Sequence, residues 1–407
     1  MEAIRLRLCV ALAGLLTALS VQPAMAQDLK LSVVTFGRGD AVHQYFGHNA
    51  FVIEAQGLPD VTVVNYGMFK FGPGMIPQFL SGRLTFWVGA SELQRTAASY
   101  ARKHRDVRLR ELNLEPPVKH AILAKLQHDL RPENSSYLYD HYFDNCSTRV
   151  RDVLDEALGG QLRRAWSKRA RFTLREQTLR YTQHDVWTQW AMMLLLNDSV
   201  DRPQPEWGAA FLPDHLEHLL DTTSYVNSQG LRVPLVAAKR DLFIAGRPAV
   251  PDLPARRWPQ NLALGVLLGA GFVALGVRAA RSGGRGQRAF AVSVAAYGAI
   301  TGLLGCIQVY LWAFSDHLVA HANANLLLLS PLSLLAGITA ACTARGAAWA
   351  RRASRVLWTI IGASTLLLLA LRALELGIHQ DISLGAALFA PIHVSLALIG
   401  WRAWAQR

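Results

Sequence analysis

The chain has 407 residues, of which 51% are hydrophobic, and it carries a formal net charge of +13. This length allows two or three domains. In a soluble protein such a charge would suggest nucleic acid binding, but part of the excess arginine lies between long apolar segments and the rest in an exported segment. Nucleic acid is therefore not expected as a partner.

Residues 1–26 have the features of a secretory signal peptide. Arg5 and Arg7 precede an apolar run, and Ala24-Met25-Ala26 stands at the expected cleavage site. An uncleaved signal anchor is the alternative interpretation. In both cases residues 27–258 are predicted to form an exported domain, on the periplasmic side of a bacterial inner membrane.

The exported segment combines strand and helix patterns, which predicts an α+β domain. Strands are predicted at Leu29–Thr35, Asn49–Ala55, Val61–Tyr66, Arg83–Val88 and Asp106–Leu114. Turn residues 57–60 predict a hairpin between the second and third of these strands. Apolar residues at helical spacing predict a helix over Pro116–Leu130.

A second helix is predicted from Cys146, the only cysteine of the exported segment, to Gly159-Gly160. Asp144 or Asn145 is expected to cap its first turn. Unpaired amides and the helix dipole favour an anion there, so the pKa of the thiol is expected to fall below its usual value of about 8.5. The same amides could hold an oxyanion, and Arg149 adds positive charge nearby.

His48 lies at the start of the second predicted strand. Together with a cysteine at a helix start, a histidine suggests a general base and its nucleophile. Each residue alone has an ordinary explanation, as a strand-end histidine or a small buried thiol. His43 is expected to line the same cleft. Asn65 or Tyr66 on the next strand is expected to orient the imidazole, and the hairpin register decides which one; a plain turn at these residues is the alternative.

Beyond residue 259, five apolar segments are each long enough to cross a bilayer core of about 30 Å as a helix. They span residues 261–279, 290–314, 325–343, 356–374 and 382–401. Residues 259–407 are therefore predicted to form an all-α bundle of about five transmembrane helices. Arginine concentrates in the first and third gaps and at the C-terminus, which the positive-inside rule places in the cytoplasm.

The second and fourth gaps between these segments are polar. Polar residues that border a membrane can mark a functional path, so His317, His321, Asn325 and His379 are candidates for substrate contact. An interfacial loop with satisfied hydrogen bonds is the alternative. His215 and His218 lack acidic or cysteine partners in the sequence, and no metal site is expected.

Several blocks in order carry a family resemblance. They are Phe46-Gly-His-Asn-Ala50, Val64-Asn-Tyr-Gly-Met-Phe69, Phe79-Leu-Ser-Gly82, Leu112-Asn-Leu114, Tyr137-Leu-Tyr139, Asp144-Asn-Cys-Ser-Thr-Arg149, Phe211-Leu-Pro-Asp214 and the stretch from Asp316-His317 to Asn323-Ala-Asn-Leu-Leu327. The set resembles the DUF4105 family, which includes the Lnb-type lipoprotein N-acyltransferases. It is similar more broadly to the circularly permuted branch of the papain-like NlpC/P60 superfamily, in which a strand histidine precedes a helix-initiating Asn-Cys.

The resemblance implies a circularly permuted papain-like fold, with Cys146 as nucleophile, His48 as base and Asn145 completing the Asn-Cys pair. It implies transfer of an acyl chain from a membrane phospholipid, through a cysteine thioester, to the α-amino group of a diacylated lipoprotein. No cofactor is expected. A membrane-tethered thiol hydrolase, either a peptidase or a phospholipase, is the alternative. A non-enzymatic scaffold is a third class, and intact His48 and Cys146 argue against it.

Overall fold

The computed structural model describes residues 29–55, 60–282 and 284–404. The predicted signal peptide and residues 57–59 of the predicted hairpin turn lie outside these ranges. The chain divides into two compact units. The first unit comprises Met1–Phe79, Arg83–Phe172 and Pro203–Val250, and the second comprises Leu80–Gly82, Thr173–Arg202 and Pro251–Arg407.

The described residues form the following strands and helices. The strands are β1 (Lys30–Phe36), β2 (His48–Glu54), β3 (Thr62–Met68), β4 (Thr85–Glu92), β5 (Val107–Leu112), β6 (Ser136–Leu138), β7 (Ser224–Val226), β8 (Arg232–Pro234) and β9 (Val236–Phe243). The α-helices are α1 (Met75–Ser81), α2 (Leu93–Arg102), α3 (Pro116–Asp129), α4 (Cys146–Ala157), α5 (Gln161–Ala165), α6 (Leu174–Thr182), α7 (Val186–Leu195), α8 (Glu206–Ala209), α9 (Pro213–Thr222), α10 (Trp258–Ser282), α11 (Gly284–Phe314), α12 (Leu332–Ala344), α13 (Ala348–Ala373) and α14 (Ser383–Ala403).

The first unit is built on an antiparallel sheet with the strand order β6-β4-β3-β2-β1-β5-β9. The five strands predicted in the exported segment are confirmed, although several ends differ by a few residues. The predicted pairing of the second and third strands is also confirmed, since Phe51 pairs with Val64. The unit is therefore a mixed α/β domain, as the sequence indicated.

Helices cover both faces of this sheet. On one face Val33 packs in a cluster with Leu126 of α3 and Val150 of α4. On the other face Val34 packs in a cluster with Ala97 of α2. Successive strand residues point to opposite faces, and since both faces are covered, the interior strand β1 is buried from Leu31 to Phe36, including Ser32 and Thr35.

The starts of α4 and β2 are held together by buried side chains. The Ser147 hydroxyl donates to Oδ1 of Asn49 at 2.9 Å and to the carbonyl of Ala210 at 2.8 Å. Nδ2 of Asn49 donates to the Thr35 hydroxyl on β1 at 2.9 Å. These contacts place Cys146 and His48, the neighbours of Ser147 and Asn49 in the chain, at one end of the sheet.

Ion pairs fix α9 to strand β5. Arg108 contacts Asp214 at 2.6 Å and Glu217 at 2.8 Å, while Arg110 contacts Glu217 and reaches Asp221 at 3.0 Å. Glu217 is buried, so both of its guanidinium partners offset the desolvation of its charge. The network fixes α9, which follows the loop whose Ala210 and Phe211 carbonyls receive hydrogen bonds from the start of α4.

The second unit is helical, and α10, α11, α13 and α14 are each long and apolar enough to cross a membrane. The third predicted segment, 325–343, is not a single straight helix. Leu318–Leu327 and Leu332–Ala344 are bent by 43° relative to each other, so the described residues hold four such spans, or five if the bent pair is one span. Pro331 stands at the break, where a residue without an amide N–H cannot continue a helix.

The second unit also includes α6 and α7, which the sequence had placed in the exported segment that ends at residue 258. Buried Arg175 on α6 holds the segment that follows α7. Its guanidinium donates to the carbonyls of Leu196 at 3.0 Å and Asn197 at 2.9 Å and pairs with Asp201 at 2.7 Å. These contacts within the second unit join residues that are far apart in the sequence, so the pattern of the sequence did not predict that α6 and α7 belong to it.

Candidate active site

Cys146 is the first residue of α4, and Asn145 caps this helix. Oδ1 of Asn145 accepts hydrogen bonds from the amides of Ser147 and Thr148, and the Thr148 hydroxyl accepts the amide of Asn145 in return. Nδ2 of Asn145 donates to the carbonyl of Phe211 at 3.0 Å. Both the oxygen and the nitrogen of the Asn145 side chain therefore hold the start of the helix in place.

Backbone amides surround the sulfur of Cys146. The backbone amides of Asn49, Ser147 and Cys146 lower the pKa of the thiol. Burial has the larger effect, however, and raises the pKa of Cys146 to about 11. The expectation of a lowered thiol pKa is thus wrong, because a buried thiolate loses more solvation than the amides return.

His48 is oriented by Asn65. Nε2 of His48 lies 3.2 Å from Oδ1 of Asn65, and Nδ2 of Asn65 donates to the Ser91 hydroxyl at 3.2 Å. The Ser91 hydroxyl lies 2.9 Å from that of Thr96. Phe36 stacks on the imidazole with ring centroids 5.9 Å apart. Asn65 is thus the one of the two candidates that reaches His48.

The tautomer of His48 follows from this hydrogen bond. A carbonyl oxygen only accepts, so Nε2 carries the proton and Nδ1 carries the lone pair. Burial lowers the pKa of His48 to about 4, although the hydrogen bond to Asn65 acts in the opposite direction. The ring is therefore neutral near pH 7, and Nδ1 is the nitrogen that can act as a base.

His48 and Cys146 share neighbours but no direct hydrogen bond. Within the ranges 29–55, 60–282 and 284–404, the hydrogen bond of the His48 ring goes to Asn65. The backbone amide of Asn49, the residue after His48, lowers the pKa of the Cys146 thiol, and the charge of Arg105 lowers the pKa of both groups. The resting arrangement is thus a neutral thiol near a neutral imidazole, which differs from a preformed ion pair.

Tyr66 lies on the opposite face of β3 from Asn65, as the alternation along a strand requires. Its hydroxyl donates to Oδ2 of Asp129 on α3 at 2.8 Å, and its side chain is fully buried. The alternative in which Tyr66 orients His48 is therefore wrong.

Arg149 and Arg105 have different environments, although both are cationic. Arg149 forms two hydrogen bonds to Asp144, at 2.6 and 2.7 Å, and stacks on Tyr137 at 3.6 Å. Its charge is therefore balanced locally. Arg105 was not singled out from the sequence, because it lies far from Cys146 along the chain; its charge nevertheless lowers the pKa of the thiol.

A row of aromatic side chains begins beside the thiol. A Cβ at Gly67 would lie 3.6 Å from that of Cys146 and 3.9 Å from the Phe86 ring. Phe86 stacks on Phe69 at 5.0 Å, and Phe69 meets the edge of Phe71 at 4.9 Å. We call Phe69, Phe71, Phe86 and Tyr139, which stacks on Phe86 at 4.3 Å, the aromatic row.

The far end of the aromatic row is open to solvent. Phe71 is 62% exposed, and the nearby Ile76 and Phe79 are 72% and 53% exposed. His43 meets Phe69 and Phe71 edge-on, with ring centroids 5.5 Å away in each case. The predicted cleft residue His43 therefore lies at this apolar rim, beside the aromatic row.

The polar residues of the second and fourth gaps between the apolar segments have mostly structural partners. Nε2 of His321 lies 2.7 Å from the carbonyl of Ser315. Nδ2 of Asn325 donates to the carbonyl of Leu194 at 3.1 Å, although its buried Oδ1 has no hydrogen-bond partner in the described structure. His379 is exposed and His317 partly exposed. For His321 and Asn325 the interfacial-loop alternative therefore fits the geometry.

An apolar groove lies in the second unit. It has a volume of about 780 Å³ and runs between α10, α13 and α14. Its lining includes Trp258, Leu262, Val266, Leu369, Ala387 and Val394. No cluster of three or more His, Cys, Asp or Glu side chains suited to a metal ion occurs among the described residues.

The fold and the site together define a membrane protein whose mixed α/β domain carries a cysteine at a capped helix start and a histidine on the adjacent strand. Residues 22–183 match the family model of the Lnb N-terminal periplasmic domain, and residues 261–401 match that of the Lnb transmembrane domain. These two matches support an assignment of the chain to the Lnb-type family. The first match also supports a periplasmic position for the N-terminal domain. No curated protein and no solved structure matches the chain.

Proposed function

We propose that this protein is a lipoprotein N-acyltransferase that uses Cys146 as an acyl carrier. It would take an acyl chain from a membrane phospholipid and transfer it to the free α-amino group of the N-terminal diacylglyceryl-cysteine of a lipoprotein. The proposal includes a papain-like, circularly permuted arrangement of the thiol domain. It also places the C-terminus in the cytoplasm, on the basis of the arginine distribution.

The observation that carries the proposal is the position of Cys146 between backbone amides and the aromatic row. A thiol influenced by the backbone amides of Asn49 and Cys146 suits attack on a carbonyl, because these amides would also favour the developing oxyanion, whereas the Ser147 amide is occupied by Oδ1 of Asn145. The aromatic row leads from Gly67 to exposed Phe71, and this apolar path suits a hydrocarbon chain. The membrane helices would keep such a site close to its lipid substrates.

In the first half-reaction the sulfur of Cys146 attacks the ester carbonyl of the phospholipid. Nδ1 of His48 takes the thiol proton, and the C–O bond to the glycerol oxygen breaks. The imidazolium then returns this proton to the departing lysophospholipid alkoxide, which leaves an acyl thioester on Cys146. Since both groups are neutral at rest, proton transfer and attack proceed together.

In the second half-reaction the neutral amine of the lipoprotein attacks the thioester carbonyl. An unperturbed α-amino group has a pKa of about 7.7–8.0, so a usable neutral fraction exists near pH 7. The C–S bond breaks, His48 takes one proton from the nitrogen, and that proton is passed to the sulfur. The products are the amide-linked acyl chain and the original thiol.

The test is intact mass spectrometry of the detergent-purified protein after incubation with phospholipid vesicles. Wild type is expected to gain one fatty-acyl mass, which hydroxylamine removes and a synthetic diacylated lipopeptide discharges. Cys146→Ser serves as the control for the attachment site, and His48→Asn is expected to slow formation of the adduct strongly. The lipopeptide should gain the same mass that the enzyme loses.

Two outcomes would count against the proposal. An adduct that water discharges as fast as the lipopeptide does would support a thiol hydrolase instead. Absence of an adduct in a protein that still reacts with a thiol-directed acylating reagent would remove Cys146 as acyl carrier.

A further inference from the structure

The hydroxyl of Tyr137 is a buried polar group without a hydrogen-bond partner. Tyr137 lies on the edge strand β6 and pairs with Phe86 of β4. Its Oη atom is shielded from solvent, and among the described residues no donor or acceptor reaches it. A buried hydroxyl normally has a partner, because an unpaired one loses its hydrogen bonds to water and gains none in return. This hydroxyl therefore adds no hydrogen bond to the stability of the fold.

The unpaired hydroxyl lies beside the nucleophile. A Cβ added at Gly67 would lie 3.6 Å from Oη of Tyr137 and 3.6 Å from Cβ of Cys146. The two residues thus border the same small space, which is open because residue 67 has no side chain. The Phe86 ring of the aromatic row borders this space too, at 3.9 Å. A carbonyl group that reaches the sulfur along the aromatic row would therefore pass close to the hydroxyl.

Arg149 holds the ring of Tyr137 in this position. Its guanidinium lies 3.6 Å from the ring centroid, and hydrogen bonds of 2.6 and 2.7 Å to Asp144 fix the guanidinium in turn. Because Asp144 and Arg149 flank Cys146 in the chain, one short segment positions both the nucleophile and the tyrosine. The hydroxyl is thus in place before a substrate arrives, as a preorganised donor has to be.

The Tyr137 hydroxyl keeps its proton at neutral pH. Burial raises the pKa of Tyr137, negative charge at Cys146 and Asp144 acts in the same direction, and the charge of Arg149 acts against them. A protonated phenol donates a hydrogen bond through its O–H group. A carbonyl oxygen that becomes negative during nucleophilic attack is a suitable acceptor for it.

The helix cap uses two of the backbone donors near the nucleophile. The amides of Ser147 and Thr148 donate to Oδ1 of Asn145, at 2.8 and 2.9 Å. Oxyanion sites commonly combine backbone amides with side-chain donors, and tyrosine is among the side chains that serve in this way. An oxyanion at Cys146 therefore needs a donor that the cap does not engage.

We propose that Tyr137 is a further catalytic residue, whose hydroxyl donates a hydrogen bond to the carbonyl oxygen of the acyl group that Cys146 carries. The inference rests on the proposed function. The bond strengthens as the sulfur attacks and the carbonyl π electrons move to the oxygen. It weakens when the C–O bond to the glycerol oxygen breaks and the carbonyl forms again. The phenolic proton stays on Tyr137 throughout, and the same bond serves attack of the amine on the thioester.

The experiment compares acylation and alkylation of Cys146 in full-length protein in detergent. The activated ester p-nitrophenyl butyrate acylates the thiol through an oxyanion, whereas iodoacetamide alkylates it without one. Peptide mass spectrometry reads both adducts at Cys146 separately from those at Cys306 and Cys342. Tyr137→Phe is expected to slow acylation about 100-fold, as loss of one oxyanion donor does, and to leave alkylation within about threefold of wild type.

Thermal unfolding in detergent separates this role from a structural one. Tyr137→Phe removes an unpaired hydroxyl, so its midpoint should equal or exceed that of wild type. Tyr225→Phe is the control, because Oη of the buried Tyr225 donates to the carbonyl of Asn113 at 2.8 Å. The control should lower the midpoint and leave acylation of Cys146 unchanged.

Two results would overturn the inference. One is unchanged acylation in Tyr137→Phe, and the other is equal slowing of acylation and alkylation, which would mean that the hydroxyl acts on the thiol itself. If Tyr137→Phe slows only acylation but the wild type takes no acyl group from phospholipid vesicles, the proposed function fails while the role of Tyr137 stands.

Discussion

Oδ1 of Asn65 lies 3.2 Å from Nε2 of His48, and the two residues stand on the neighbouring antiparallel strands β3 and β2. This contact fixes both the orientation of the ring and the position of its proton. Ser91 on β4 holds the other end of the Asn65 amide. Three adjacent strands therefore contribute to the placement of one nitrogen lone pair.

Replacement of Asn65 by Ala should lower the rate of thioester formation about 10- to 100-fold. A correctly positioned general base accelerates a reaction by about 10²–10⁴-fold, and the variant should lose part of this acceleration because His48 is no longer held in place. Tyr66→Phe is the matched control on the next residue of β3. It removes the hydrogen bond to Asp129, which should cost about 1 kcal/mol of stability, and leaves His48 in place. Equal rates in the two variants would show that Asn65 does not orient the base.

The pKa values of the site predict how stability depends on pH. The pKa of His48 is lowered to about 4, and burial lowers that of His141 to about 4 as well. Between pH 6.5 and 4 the unfolded chain therefore binds protons at these residues that the folded chain does not, and stability should fall as the pH falls through this window. Thermal unfolding in detergent measures this loss.

The matched variant for this window is His48→Asn, which should show a shallower decline of the midpoint than wild type because one of the two groups is gone. A decline of the same size would mean that His48 is not neutral in the folded protein. On the alkaline side the pKa of Cys146 is raised to about 11, so alkylation of its thiol should still increase above pH 9.

Gly67 has a left-handed backbone, with φ of +88°, and a Cβ added there would lie 3.6 Å from Cβ of Cys146. Gly67→Ala should cost about 1–2 kcal/mol from the backbone conformation and also impede the approach of substrate to Cys146. Gly74→Ala is the control, because Gly74 has a φ of +90° and nothing within 4 Å of its added methyl group. Both variants should lose stability, and Gly67→Ala alone should lose thioester formation; a similar loss in both would contradict this.

Small residues let α11 pack closely against α12 in the second unit. A Cβ at Gly302 would lie 2.2 Å from the amide nitrogen of Leu334. Gly302→Val should therefore force these helices apart and lower the midpoint of thermal unfolding in detergent by several degrees. A Cβ at Gly271 on α10 would have no atom within 4 Å, so Gly271→Val should leave the unfolding midpoint nearly unchanged. An equal fall of the midpoint in both variants would show that the close approach of the α11 and α12 backbones does not cause the loss of stability.

Much of this architecture follows from local pattern. The spacing of apolar residues along the sequence shows which side of an element is buried. It therefore predicted the strands before residue 115, the helices that begin at Pro116 and Cys146, and most of the apolar spans. The sequence also indicated Asn145 as a possible helix cap. The break at Pro331 was missed, because a long apolar run resembles one helix even where its axis bends.

The sequence by itself determined the order of His48 and Cys146, the capped start of α4 and the division between a polar domain and apolar helices. Only the tertiary structure decided that Asn65 and not Tyr66 meets His48, since strand register selects the face of each side chain. Only the tertiary structure buried the Cys146 thiol and so raised its pKa. Charge interactions and desolvation depend on distance and burial in space, which residues far apart in the chain acquire only when it folds.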